Sequence, residues 1–293
     1  VLATMFQSFV NVQLALRQCQ KQPLKYIIIQ IILSLTNVLF TVAALECFSQ
    51  DLVAYRILAI VIANLTTFII ASLVLGDLFK DSYRFTWPRL RLGLFYIFSF
   101  GLPLILHQSS FFVKGQLDRI FIYQQYSKAE LGVYSAGVQI AAVLPIILMA
   151  LNKAIVPYYY QGLKDNSLTI AKIKKYTLYS LPLSILPAVV GWLLPEQMYL
   201  WFLGQNYVGS KYYVFMYLLG FGANFPYLIL VNYFFYHGKN LMISKITLLS
   251  SIIYIFFLYF FAKESLDLIP YALILSNVIL IVCLWSKVSR ESA

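Results

Sequence analysis

Between Phe100 and Arg119 the chain reads FGLPLILHQSSFFVKGQLDR, the polar middle of an apolar stretch that runs from Leu94 to Ile122. It starts like a membrane span, then carries a Gly-x-Pro break (Gly101, Pro103) followed by His107, Gln108, Ser109, Ser110, Lys114 and Asp118. Ionisable side chains in hydrocarbon cost several kcal/mol unless they face protein or water, so a span serving only as an anchor would not carry them. At 100° per residue His107, Ser110, Lys114 and Asp118 fall on one stripe, while Leu102, Ile105, Leu106, Phe112 and Val113 lie opposite. This pattern predicts a helix with one wet side that lines a passage.

The rest of the composition sets the class. Of 293 residues 61% are hydrophobic and 11% charged, and mean hydropathy is +0.79. Soluble domains are nearer half apolar and a quarter charged. The apolar runs are continuous and about twenty residues long, the length of a transmembrane helix, rather than the ten-residue alternating segments of a membrane barrel. The fold class is an all-α polytopic membrane protein. Cys19, Cys47 and Cys283 are scattered, with neither metal-ligand spacing nor a disulfide framework. The opening VLATMFQSFVNVQLAL resembles the end of a span already under way, so the chain reads as the C-terminal part of a longer protein.

Eight full spans are expected after that partial one: 26–45, 54–76, 94–116, 131–157, 176–202, 212–236, 241–261 and 269–286. The longest polar connections are 77–93 and 158–175. The second is expected to hold a short surface helix capped by Asn166 or Ser167, with Ile170 and Ile173 toward the bilayer. Sixteen of the 22 Lys and Arg residues lie on one set of alternating loops. By the positive-inside rule that side, with the C-terminus, is cytoplasmic. The net charge of +11 is thereby a topology signal. No nucleic-acid partner is expected, because the basic residues are dispersed and accompany no reader motif. Trp87, Trp192, Trp201 and Trp285, with Tyr158 to Tyr160 and Tyr212–Tyr213, fall near span ends as an interfacial belt. The prolines and glycines inside spans (Pro145, Pro157, Pro182, Pro187, Gly191, Gly220, Gly222, Pro226) suit fixed kinks or a bundle that rocks.

His107 lies about 18 Å along its helix from Phe95, near mid-bilayer. It is either a neutral histidine bonded to a neighbouring helix or a donor facing the passage, and the stripe favours the passage. Lys114 either snorkels to the surface or attracts an anionic head group. Asp118 and Arg119 beside it read as an interfacial ion pair or as part of the path. Lys153 has the same two readings as Lys114, with snorkelling favoured, and Gln139 and Ser135, on roughly one helical face with it, would extend the polar lining. Asn37, Asn64, Asn224 and Asn277 read as bonds between helices. There are two histidines, and the acids are spread over the loops. No metal site, cofactor motif or catalytic constellation is found, which lowers a membrane enzyme below a transporter.

The order of FGLP (Phe100 to Pro103), Asp118–Arg119, GVYSAG (Gly132 to Gly137), Pro157–Tyr158 and FLGQNY (Phe202 to Tyr207) against this topology resembles a Wzx-type polysaccharide or O-antigen flippase. That group belongs to the multidrug/oligosaccharidyl-lipid/polysaccharide exporter superfamily. The resemblance implies two six-helix lobes. Residues 1–76 would end the first lobe, 77–93 would be the cytoplasmic linker, and 94–293 would form the second lobe. It also implies a substrate, an oligosaccharide on a polyprenyl pyrophosphate carrier, moved to the outer leaflet of the bacterial inner membrane by alternating access. Coupling to a proton or sodium gradient comes with the resemblance, as do membrane lipids, a polysaccharide polymerase and chain-length machinery as partners. On this template Lys114, Arg119 and Lys153 supply positive charge and His107, Ser110 and Gln139 hydrogen bonds, with Asp118 at the outer edge. A multidrug exporter of the same superfamily is the alternative. A membrane polymerase or glycosyltransferase ranks below it, because the external loops are short.

Overall fold

The computed structural model describes residues 2–47, 51–74 and 86–290. They form α-helices joined by short turns, with no strand among the described residues. Among the described residues eight helical segments are long and apolar enough to cross a membrane, and they fall on the eight expected spans. The chain divides into two compact units, Val1–Thr86 and Trp87–Ala293. Much of the expected linker, 77–85, lies outside the described residues, and Trp87 to Gly93 are the opening turns of a helix.

The first unit packs α1 (Leu2–Cys19), α2 (Pro23–Cys47) and α3 (Leu52–Val74). Lys21 turns the chain with φ 54°, and Pro23 opens α2 at the position where a missing N–H costs nothing. Val10, Leu14, Ile29 and Ala71 form the core, joined by Tyr26, Leu33 and Phe68. Polar contacts tie the helices together: Thr36 to Thr67 at 3.1 Å and Asn64 Nδ2 to the Ala3 carbonyl at 3.2 Å. Asn37 turns back to the Leu33 carbonyl of its own helix instead of bridging helices.

The second unit holds α4 (Trp87–Gln125), α5 (Lys128–Ala141), α6 (Val143–Lys164), α7 (Ile170–Leu193), α8 (Glu196–Leu203), α9 (Ser210–Gly222), α10 (Asn224–Tyr236), α11 (Asn240–Glu264) and α12 (Ile269–Arg290). α4 is the longest, at 39 residues. At 1.5 Å per residue it spans about 58 Å, well beyond the hydrocarbon thickness. It runs unbroken through Gly101 and Pro103, so the expected break is absent. A proline removes a single N–H, and a membrane helix continues where neighbouring groups engage the freed backbone. The carbonyl that Pro103 frees is that of Ser99, four residues back; Ser244 donates its hydroxyl to the carbonyl of Pro103 itself, a contact between α4 and α11.

The real interruptions lie elsewhere. The expected span 131–157 is split at Ala142, three residues before Pro145, and the span 212–236 at Ala223, three before Pro226. In each case proline withholds the N–H that would bond the carbonyl four residues back, Ala141 or Gly222. The span 176–202 also divides: α7 ends at Leu193 and α8 begins after Pro195. The surface helix expected at 158–175 does not form. α6 instead runs on to Lys164, Asn166 turns the chain with φ 55°, and Thr169 caps α7 by accepting from the Lys172 N–H. Ile173 is buried against Tyr227, Leu230 and Phe234 rather than facing the bilayer.

Two close helix approaches depend on glycine. A Cβ at Gly222 would overlap the Ser184 carbonyl of α7, and one at Gly137 would lie 2.7 Å from the Tyr213 Cβ of α9. Small residues of this kind let membrane helices pack backbone to backbone.

Candidate polar core of the second unit

The stripe read from the sequence is a real feature of α4, but it is dry. His107, Ser110, Lys114 and Asp118 are 4%, 3%, 5% and 1% exposed. They face a second polar stripe on α11 made by Ser244, Thr247, Ser250, Ser251 and Tyr254, all buried. Partners rise together along both helices (Pro103 with Ser244, His107 with Thr247, Ser110 with Ser251), so α4 and α11 run parallel. The spacing of three and four residues in the α11 set was present in the sequence and matches the α4 stripe. Side chains of α5, α9, α10 and α12 complete the core.

His107 joins three helices. Its Nδ1 lies 3.2 Å from Thr247 Oγ1, and its Nε2 lies 3.1 Å from the Tyr227 hydroxyl of α10. The Thr247 hydroxyl also reaches the Ile243 and Ser244 carbonyls, which can only accept. Its one proton goes there, so it accepts from His107 Nδ1–H, and Tyr227 donates to Nε2. This is a neutral imidazole with both nitrogens engaged in helix packing.

Lys114 does not snorkel. Its Nζ donates to Ser250 Oγ at 2.6 Å and to Asn277 Oδ1 at 2.9 Å. These acceptors are anchored in turn: Ser250 donates to the Ser276 carbonyl at 2.5 Å, and Asn277 Nδ2 donates to the Gly220 carbonyl at 3.0 Å. One ammonium thereby ties α4 to α11, α12 and α9. Asp118, one turn further, is likewise solvated by the fold. Its Oδ2 accepts from Tyr134 at 2.5 Å and Tyr217 at 2.6 Å, and its Oδ1 accepts the Arg119 N–H at 2.8 Å. Tyr134 and Tyr217 had no flag in the sequence, because a single tyrosine in an apolar run is ordinary core material. A buried charge costs several kcal/mol, and hydrogen bonds to charged groups recover about 1.5–3 kcal/mol each.

The remaining site residues are not brought into this core. Arg119 is half-buried, donating to Gln116 Oε1 at 2.7 Å and to the Gly115 carbonyl. Gln139 and Lys153 are exposed on α5 and α6, on either side of the one-residue interruption at Ala142. The open side of α4 carries Gln108, Ser109 and Gln116, all exposed among apolar neighbours. Beside Gln116 lies an open surface groove of about 410 Å³, lined by Phe112, Gln116, Arg119, Ile120, Tyr123 and Leu131. Among the described residues no group of three or more His, Cys, Asp or Glu side chains could hold a metal ion.

These features define a multi-pass helical membrane protein with a charged polar core sealed inside one helical unit. The chain belongs to the family described as polysaccharide biosynthesis protein, which it matches over residues 1–162. Members of that family are typically transporters rather than enzymes. The chain is 45% identical over 291 residues to a Haemophilus influenzae protein called Lsg locus putative protein 1, covering 99% of this chain and 72% of that one. It is 40% identical over 290 residues to a second protein of the same organism, an uncharacterized membrane protein, covering 99% of this chain and 71% of that one. No solved structure matches.

Proposed function

We propose that the protein moves a polyprenyl-pyrophosphate-linked oligosaccharide from the inner to the outer leaflet of the bacterial inner membrane, by alternating access between two lobes. In this reading residues 94–293 are the second six-helix lobe and the C-terminus is cytoplasmic. The observation that carries the reading is the second polar face of α4. Gln108 and Ser109 stand exposed inside an expected span, where an unsatisfied polar group in lipid costs several kcal/mol, and Gln116, bonded by Arg119, continues the same face. That face therefore meets water or polar cargo. Amides and a hydroxyl suit sugar, the Arg119 guanidinium suits phosphate, and Phe112 and Tyr123 give apolar walls. Gln139 and Lys153 extend the path on α5 and α6, while His107, Ser110, Lys114 and Asp118 set the lobe's shape from inside. The family match and a relative named for a locus protein support a role in polysaccharide assembly. A polymerase and chain-length machinery would then act on the delivered unit.

The test is a strain lacking the full-length gene. Finished lipid-linked units stranded on the inner leaflet, with surface polysaccharide lost, are expected. Single units accumulating on the outer leaflet would indicate a polymerase instead, and no change in either would favour a drug exporter.

A further inference from the structure

α7 carries its charge on the face that packing leaves open. Ile173, Thr177, Ser180, Ala188 and Gly191 are buried, whereas Lys172, Lys175, Tyr176, Tyr179, Leu183 and Val190 are exposed. At 100° per residue those six fall within a stripe about 100° wide. From the start of the helix inward the stripe is cationic, then aromatic, then apolar. From Tyr179 to Val190 it runs about 16 Å at 1.5 Å per residue, the hydrocarbon depth of one leaflet. A phospholipid has the same order: phosphate, ester region, acyl chain.

The two lysines are held rather than loose. Ile173 is buried against α10, so these turns belong to the spanning helix and not to a surface segment. Lys172 Nζ donates to the Ser167 carbonyl at 2.7 Å, and Lys175 Nζ lies 5.6 Å from the centre of the Tyr179 ring. An ammonium has three donors, so each keeps N–H groups for a further acceptor. Helix neighbours three apart stand about 5–6 Å apart at Cβ, close enough for both to reach one phosphodiester. Residues 158–180 hold four lysines and a single acid, Asp165.

Position along the helix separates this pair from the other exposed basic pair on the same side. Lys287 and Arg290 lie in the last turn of α12, where they offset the negative end of their own helix. Lys172 and Lys175 lie in the opening turns of α7, at its positive end, so the helix leaves their charge for an anion outside it.

We propose that this stripe binds one anionic phospholipid. Its phosphate sits between Lys172 and Lys175, its ester region against Tyr176 and Tyr179, and an acyl chain along Leu183 and Val190. Phosphate on an apolar tail is also the chemistry of a polyprenyl carrier. The phospholipid is the chosen occupant because it is a component of the bilayer that an exposed apolar stripe already faces.

The experiment is native mass spectrometry of the full-length protein released from micelles, titrated with phosphatidylglycerol as the anionic probe and phosphatidylcholine as the neutral one. One phosphatidylglycerol held more tightly than the rest is expected, with no equivalent phosphatidylcholine. At about fivefold per lysine, Lys172→Gln with Lys175→Gln should weaken that binding about thirtyfold. Lys172→Arg with Lys175→Arg should keep it, and Lys287→Gln with Arg290→Gln should leave it unchanged. Unchanged binding in the Lys172→Gln, Lys175→Gln variant overturns the proposal. An equal loss in the α12 variant reduces the site to general surface charge and overturns it too. If the double glutamine variant does not fold, Lys175→Gln alone should weaken binding about fivefold, and no change there overturns the proposal. Displacement of the phosphatidylglycerol by an equal concentration of polyprenyl pyrophosphate would make the stripe a carrier site and also overturn it. Lipid retention is read without transport, so failure of this site and failure of the flippase reading are separately visible.

Discussion

Asn277→Leu is the sharpest probe of the polar core. The substitution keeps the branched shape and heavy-atom count of the side chain but removes an acceptor 2.9 Å from Lys114 Nζ and a donor 3.0 Å from the Gly220 carbonyl. A hydrogen bond to a charged group contributes about 1.5–3 kcal/mol, and a stranded buried carbonyl costs about 1–3 kcal/mol. Ser250 remains as the second acceptor, so the expected loss is about 3–5 kcal/mol, large against an ordinary domain stability of about 5–15 kcal/mol. Lys114→Met in the same background removes the stranded ammonium and should return part of that loss. Equilibrium unfolding of the full-length protein in mixed micelles, followed by tryptophan fluorescence, gives the four corners of the cycle. The cycle also cancels whatever Lys114→Met does to Asp118. A coupling energy of about 1.5–3 kcal/mol is expected. Strict additivity, with coupling below about 0.5 kcal/mol, would refute the claim that Lys114 is held by Asn277 inside the lobe.

Gly222→Ala should destabilise the second unit by about 1–3 kcal/mol or more, because its Cβ overlaps the Ser184 carbonyl; unchanged thermal unfolding would contradict that contact. Nitrogen NMR of labelled His107 should show the proton on Nδ1, and Thr247→Val should cost about 1–3 kcal/mol by stranding it; a proton on Nε2 would reverse the assignment. Arg119→Gln should lower delivery of surface polysaccharide with protein abundance unchanged, since the side chain is half-buried at the groove wall; normal polysaccharide would remove Arg119 from the path.

The α4 stripe was legible because a helical period of 3.6 brings residues 107, 110, 114 and 118 onto one face whatever they touch. What they touch was not legible. In a membrane a polar stripe can mean a water-lined wall or a dry contact with a matching helix. The choice here depends on α11, whose Ser244, Thr247, Ser251 and Tyr254 lie well over a hundred residues further along the chain. The face that is open carries Gln108, Ser109 and Gln116, polar in the sequence but uncharged and outside the stripe of 107, 110, 114 and 118. Proline positions were equally ambiguous from sequence. α4 continues through Pro103, while the helices that carry Pro145 and Pro226 are interrupted three residues before them, and the residue type alone does not distinguish the three. Span existence and number were secure, since they need only apolar length.

The most direct measurement is cysteine accessibility in the full-length protein, with Cys19, Cys47 and Cys283 replaced and single cysteines placed on the two polar faces of α4. A membrane-impermeant thiol reagent should label cysteines at Gln108, Ser109 and Gln116, and lipid-linked oligosaccharide should protect them. Cysteines at Ser110 and Asp118 should stay unlabelled. Labelling of the buried pair, protected by the same lipid-linked oligosaccharide, with silence on the open face, would contradict the account.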